Sequence, residues 1–135
     1  IVLGSTSKYR AELLSRLHLP FTTTKPVCDE ALLPDEAPDQ LANRLAQTKA
    51  ASLRDLYPNG IIIGSDQVAA SGSTILGKPG TSAKACEQLR LMRGQSVVFY
   101  TALCVLDCAS GQTVIALDET TAILRDLSDE EIERY

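Results

Sequence analysis

The sequence has little of what several large function classes need. It has a single histidine, His18, so no His-rich zinc site can form. A Ser–His–Asp triad would have to use that residue, and nothing beside it in its Leu-rich helix end supports one. The four cysteines, Cys28, Cys86, Cys104 and Cys108, form no CxxC pair. They read as reduced thiols in the core or at the surface, which points to the cytoplasm. There is no apolar run near the roughly 20 residues that cross a bilayer, and no signal peptide is visible, so no membrane partner is expected. Basic residues are not in excess: 13 Lys and Arg against 17 Asp and Glu give a net charge of -4. That balance excludes a broad basic surface for nucleic acid. A small polyanion remains allowed, because a local cluster of Lys and Arg can hold one within an acidic chain. No internal repeat, linker or low-complexity stretch divides the 135 residues. They suffice for one domain with a hydrophobic core.

What is present alternates between strand and helix signals. Ile1–Gly4 reads as a short buried strand. Residues 8–17 form a helix with Leu13, Leu14 and Leu17 at helical spacing. Phe21–Thr24 reads as a second strand, and the Pro-bearing residues 25–38 as a loop. Residues 39–56 read as a long helix with Leu41, Leu45 and Leu53 on its inner side. After the turn at Pro58-Asn59-Gly60, Ile61–Asp66 reads as a buried strand ending in polar residues. Turns follow at 71–73 and 77–80, then a helix near 81–92. Two longer strands, near 95–107 and 112–124, are joined by a hairpin turn at Ala109-Ser110-Gly111. Interleaved helices and strands with a late hairpin imply an α/β domain with a mixed sheet. Ser128-Asp129-Glu130-Glu131 fits a capping box that opens another helix. That helix is expected to continue past Tyr135, in a portion missing from this sequence.

Several residues could carry chemistry. In Gly4–Arg10 a strand runs into a helix through Ser5, Thr6 and Ser7, followed by Lys8 and Arg10. Free N–H groups at a helix start, hydroxyls and cations together suit phosphate. From the local pattern alone, an ordinary N-cap with solvated basic neighbours is the commoner arrangement of such residues. Asp66 stands where ligands bind in open α/β sheets, off the carboxyl end of a strand. A carboxylate there can hold Mg²⁺, take a proton from water, or simply cap a turn. Lys49 falls about 20° from Ala42 on the helical wheel, among Leu45, Ala46 and Leu53. A lysine on an apolar stripe must meet an anion or reach solvent. Gly72–Lys78 superficially matches a phosphate-binding P-loop. Pro79 stands where that motif needs Ser or Thr, and no helix opens after the lysine, which excludes it. Pro79 does force Lys78 into an extended conformation. Asp29-Glu30 in the Pro-rich loop could add carboxylates to a metal site or be a solvated pair.

The order of these segments is more specific than any one of them. Residues 1–10 resemble the opening of the Maf family, and Val27–Glu30 its acidic loop. Leu45–Ala50 resembles its lysine-bearing helix, Ile62–Gln67 its central acidic motif, and Leu76–Pro79 its second lysine. The resemblance covers essentially the whole chain. It implies an α/β domain with a mixed twisted sheet and flanking helices, two lobes around a cleft, related in fold to the inosine triphosphatases. It implies a nucleoside triphosphate pyrophosphatase that depends on a divalent metal ion, Mg²⁺ or Mn²⁺. Asp66 would be the proton acceptor, and Glu30 and Asp66 would serve the metal. Ser5, Thr6, Ser7, Arg10, Lys49 and Lys78 would hold phosphate. The family pattern commonly has Pro where this chain has Lys8, and Arg where it has Ala11. Tyr9 and Gln67 resemble the 7-methyl-GTP branch, which carries an aromatic and Gln, rather than the thymidine/uridine branch with Arg and Thr. A dTTP/UTP pyrophosphatase and a non-catalytic nucleotide-binding regulator of cell division are the alternatives. A homodimer is compatible with either.

Overall fold

The structure, a computed structural model, describes residues 1–134. Ten elements follow one another: β1 (Val2–Gly4), α1 (Lys8–Ser15), β2 (Thr22–Thr24), α2 (Pro38–Ala51), β3 (Ile61–Ser71), β4 (Thr74–Leu76), α3 (Ser82–Met92), β5 (Ser96–Asp107), β6 (Thr113–Ile123) and α4 (Asp129–Arg134). The sheet runs β2-β1-β3-β5-β6, with β4 paired to β3. β1 is parallel to β2 and β3, whereas β3, β5 and β6 are antiparallel neighbours. This is the mixed α/β sheet expected from the sequence. Among the described residues no helix is long and apolar enough to cross a membrane.

The core lies between α2 and one face of β3 and β5. Leu41, Ala42, Leu45, Ala46, Ala50 and Leu53 recur at helical spacing and are all buried there. Opposite them stand Ile62, Val68, Ala102, Cys104 and Leu106. Gly64 is required at the contact: a Cβ on it would lie 2.7 Å from the Ala50 backbone nitrogen and collide with the Ala46 carbonyl. The helix stops at Ala51, short of the expected 56. Ser52 donates its hydroxyl to the Lys49 carbonyl at 2.9 Å, competing with the helical ladder. Cys104 and Cys108 are both buried in this core, and all four cysteines are free. Burial pushes the Cys104 thiol up, away from reactive thiolate.

One expectation is corrected here. Asp66 does not end its strand. It is the sixth of 11 residues in β3, because β5 pairs with every residue from Ile61 to Ala70 and carries the strand on to Ser71. The turn at Gly72, with φ +58°, is what ends it. The hairpin turn at Gly111, with φ +75°, stands where the sequence places it. So does the capping box: Glu131 N donates to Ser128 Oγ at 3.2 Å, and Ser128 N to Glu131 Oε2 at 2.8 Å.

Candidate active site

β3 is the longest neighbour of β1, and the mismatch in length makes the site. β1 pairs with β3 only over Ile62–Gly64, and β4 only over Ala69–Ser71. Ser65 through Val68 therefore have no strand on that edge. The chain leaves β1 here through Ser5–Ser7, so Asp66 still faces a strand end, that of β1. Ser5 is buried and its Oγ accepts the Ser7 N–H at 3.1 Å. Ser7 caps α1, its Oγ accepting the Arg10 N–H at 3.4 Å. The N-cap reading of this loop is therefore realised. It leaves the hydroxyl protons of Ser5 and Ser7, and the first N–H groups of α1, free to donate outward. Thr6 is exposed and makes neither contact.

Successive side chains on β3 point to opposite faces. Asp66 points to α2, where Lys49 lies. The two are only 9% and 7% exposed, and Lys49 Nζ stands 2.5 Å from Asp66 Oδ1. The same ammonium is 2.7 Å from Glu30 Oε1. The lysine on the apolar stripe has thus found two anions. Burial works against its charge, but the bonds to Asp66 and Glu30 outweigh burial and hold its pKa above the ordinary lysine value. The bond from Lys49 in turn holds Glu30 below the usual 4.5, against partial burial, with Lys78 and Arg10 adding to the effect. Those two cations are therefore close enough to act on the same spot. Arg10 of α1, Lys49 of α2 and Lys78 of the loop after β4 all act on Glu30, and Lys49 alone bridges Glu30 to Asp66.

Two contacts invisible in the motifs hold the loops in place. Arg44 binds Glu36 at 2.5 Å and the Ala31 carbonyl at 2.9 Å, pinning residues 31–36 to α2 and so presenting Glu30. Gln88 donates to the Gly77 carbonyl at 2.8 Å, tying the Lys78 loop to α3. Asp29, by contrast, accepts the Ala31 N–H at 3.0 Å and shapes its own turn. Within the expected acidic pair only Glu30 reaches the site.

On the other face of β3 lies an open groove of about 710 Å³. Its floor includes Ser65 and Gln67, its wall Tyr9, Arg10 and the α1 leucines, and Lys78 stands at its margin. Tyr9 is 80% exposed, so its ring does not pack into α1. Leu13 and Leu17, at helical spacing in the sequence, are largely exposed along the same groove. Arg10 and Lys78 belong to both regions: they line the groove and act on Glu30. The groove and the carboxylate cluster are two parts of one site.

The family model for Maf-like protein matches residues 1–135. The chain belongs to the Maf family. Among similar proteins, the 7-methyl-GTP pyrophosphatase of Pseudomonas putida is 50% identical over all 135 residues, which span 70% of that protein. The one from Polaromonas sp. is 51% identical, with 62% of its length covered. The one from Cupriavidus metallidurans is 47% identical, with 68% covered. In this Maf chain Lys49 joins Glu30 and Asp66, Arg10 and Lys78 act on Glu30, and Ser7, Arg10 and Lys78 line the groove. Thr6 and Lys8 stand apart as exposed residues. Sequence reasoning gave no role to Ser65, which lies within the central acidic motif, and missed Thr101, which lines the groove without belonging to any motif. Only the strand register brings Thr101 in.

Proposed function

We propose that this chain carries the active site of a nucleoside triphosphate pyrophosphatase that hydrolyses 7-methyl-GTP to 7-methyl-GMP and pyrophosphate. The observation that carries the reading is that Lys49 bridges Glu30 and Asp66, with Arg10 and Lys78 acting on Glu30 and lining an adjacent open groove. A triphosphate bears nearly four negative charges, which repel an incoming hydroxide. The three cations and the N–H groups opening α1 neutralise them and fix the chain of phosphates. Lys49 holds Asp66 by Oδ1, which leaves the second carboxylate oxygen to meet water. Asp66 takes a proton from water as the water oxygen bonds to the α-phosphorus. The bond from that phosphorus to the bridging oxygen breaks, and pyrophosphate leaves with the electron pair.

The donor chemistry fits a divalent ion. Among the described residues no group of three or more His, Cys, Asp and Glu is placed as a metal cage. Mg²⁺ typically uses one or two carboxylates and takes its remaining ligands from phosphate and water. Glu30 and Asp66 would supply those carboxylates for Mg²⁺ or Mn²⁺, which would add positive charge at the phosphates. The base would occupy the groove, where Tyr9 and Gln67 are free to meet it. Methylation at N7 gives guanine a delocalised positive charge, which a tyrosine face attracts by roughly 0.5–2 kcal/mol. We take the groove to be one wall of a two-lobed cleft, and the free thiols to fit a cytoplasmic enzyme.

The test is release of pyrophosphate from a panel of triphosphates with Mg²⁺ or Mn²⁺. Release from 7-methyl-GTP faster than from GTP, UTP or dTTP is the expected result. A clear preference for UTP or dTTP would instead assign the thymidine/uridine branch. Nucleotide binding with no release from any of them would favour the regulator.

A further inference from the structure

Gln67 and Thr101 are direct partners in the β3–β5 ladder, and both line the groove. The Gln67 amide nitrogen donates to Thr101 Oγ1 at 2.8 Å. We propose that Thr101 is a positioning residue for base selection: its hydroxyl holds the Gln67 amide with the nitrogen toward β5 and Oε1 toward the base. The proposal rests on the base-reading role given to Gln67 above.

The physical reason lies in the symmetry of a primary amide. Turning it by 180° exchanges a donor for an acceptor with almost no change of shape. A glutamine that is free to turn can meet either kind of base edge. One held through its nitrogen keeps Oε1 toward the groove for as long as the Thr101 hydroxyl accepts. Guanine presents N–H donors at N1 and its exocyclic amine, and Oε1 accepts from them. Adenine presents a lone pair at N1, which Oε1 opposes. Turning the amide to suit adenine would point Oε1 at Thr101 and cost the 2.8 Å bond, unless the hydroxyl reverses as well. A site committed to one polar edge rejects the other strongly, because the mismatched groups are left unpaired. The N7 methyl lies on the opposite edge of the ring, so Gln67 and Thr101 select guanine, and the Tyr9 face reads the methyl's charge. The two selections are separable.

The decisive experiment measures binding of non-hydrolysable α,β-methylene analogues of GTP, 7-methyl-GTP and ATP by calorimetry. The proteins are the wild type, Thr101→Val, Thr101→Ser, Gln67→Ala and the Gln67→Ala/Thr101→Val double variant. Valine keeps the branched shape and removes the hydroxyl; Thr101→Ala serves the same purpose if valine strains the strand. Thr101→Val should narrow the GTP-over-ATP ratio about five-fold, the worth of one hydrogen bond. The ratio of 7-methyl-GTP to GTP should stay the same. Thr101→Ser, which keeps a hydroxyl, should restore the wild-type ratio. In the Gln67→Ala background the valine should change nothing further. An unchanged GTP-over-ATP ratio in Thr101→Val, or a full effect without Gln67, would overturn the proposal. Pyrophosphate release is measured separately on the same proteins. Selective binding without release would sink the hydrolase reading and leave the role of Thr101 standing.

Discussion

On the α2 face of β3, Asp66, Gly64 and Val68 meet a packed helix, and almost no side chain there reaches solvent. On the groove face, one residue along, Gln67 meets open space, an exposed tyrosine and a row of uncovered leucines. The alternation of a strand thus separates two jobs that lie next to each other in the sequence. The closed face holds charge in a fixed place, where packing and ion pairing reinforce each other. The open face leaves room for a base and is shaped by side chains that touch little else. Substitutions on the two faces should therefore fail differently. Closed-face changes should cost rate or stability for every substrate, and groove-face changes should alter only which substrate is preferred.

The sharpest break is Asp66→Asn. Its size is almost unchanged and Lys49 keeps Glu30 as a partner, so the fold should survive. Losing the proton acceptor should lower the rate of pyrophosphate release by about 10²–10⁴-fold on every nucleotide. A rate within a few-fold of wild type, in a protein of normal thermal stability, would remove Asp66 from the role assigned to it.

Gly64→Ala tests the packing that seats α2, and with it Lys49, on the same face. The added methyl meets helix backbone rather than a flexible side chain end, so α2 must shift. The expected loss is about 3 kcal/mol in chemical denaturation, at the upper end for overpacking. A loss under about 1 kcal/mol would show that the helix seat is loose.

A paired measurement contrasts the two regions where they meet. Lys78→Met removes a phosphate-directed charge and should depress release from 7-methyl-GTP, GTP and UTP by a common factor. Tyr9→Ala should leave stability within about 0.5 kcal/mol, since the ring is exposed. It should narrow the preference for 7-methyl-GTP over GTP by about 2–30-fold. If Lys78→Met proved base-selective, or Tyr9→Ala base-neutral, the division between the faces would fail.

The smallest effect concerns pH. Glu30 is held below its usual 4.5 by Lys49, so its charge stabilises the folded chain above that value. The contribution is lost as pH falls through the lowered folded-state value. Wild type should therefore melt slightly above Glu30→Gln near neutrality, and the gap should close on acidification below pH 4.5. Because more than half of the Glu30 side chain is exposed, the gap should be small and shrink with added salt. A gap that widened toward low pH would reverse the sign and contradict the pairing.

Much of this molecule could be read along the chain, and the reason is local. The α2 stripe follows from helical spacing, the turns at Gly72 and Gly111 from the backbone freedom of glycine, and the last helix start from Ser128 and Glu131. Each depends on residues only a few positions apart. The family motifs also marked Glu30, Lys49 and Asp66 as belonging together. What the chain order did not contain is how they meet. Lys49 and Asp66 are 17 positions apart, and only the seating of Ala46 and Ala50 on Gly64 brings the ammonium to the carboxylate. The strand containing Asp66 outran its isoleucines because β5 extends beside it, a pairing set by register rather than by propensity. The same register puts Thr101, 34 positions away, against Gln67. Local hydrogen bonding and side-chain periodicity determine the elements. The distances that make chemistry exist only after those elements have packed, because packing alone decides which side of a strand meets which side of a helix.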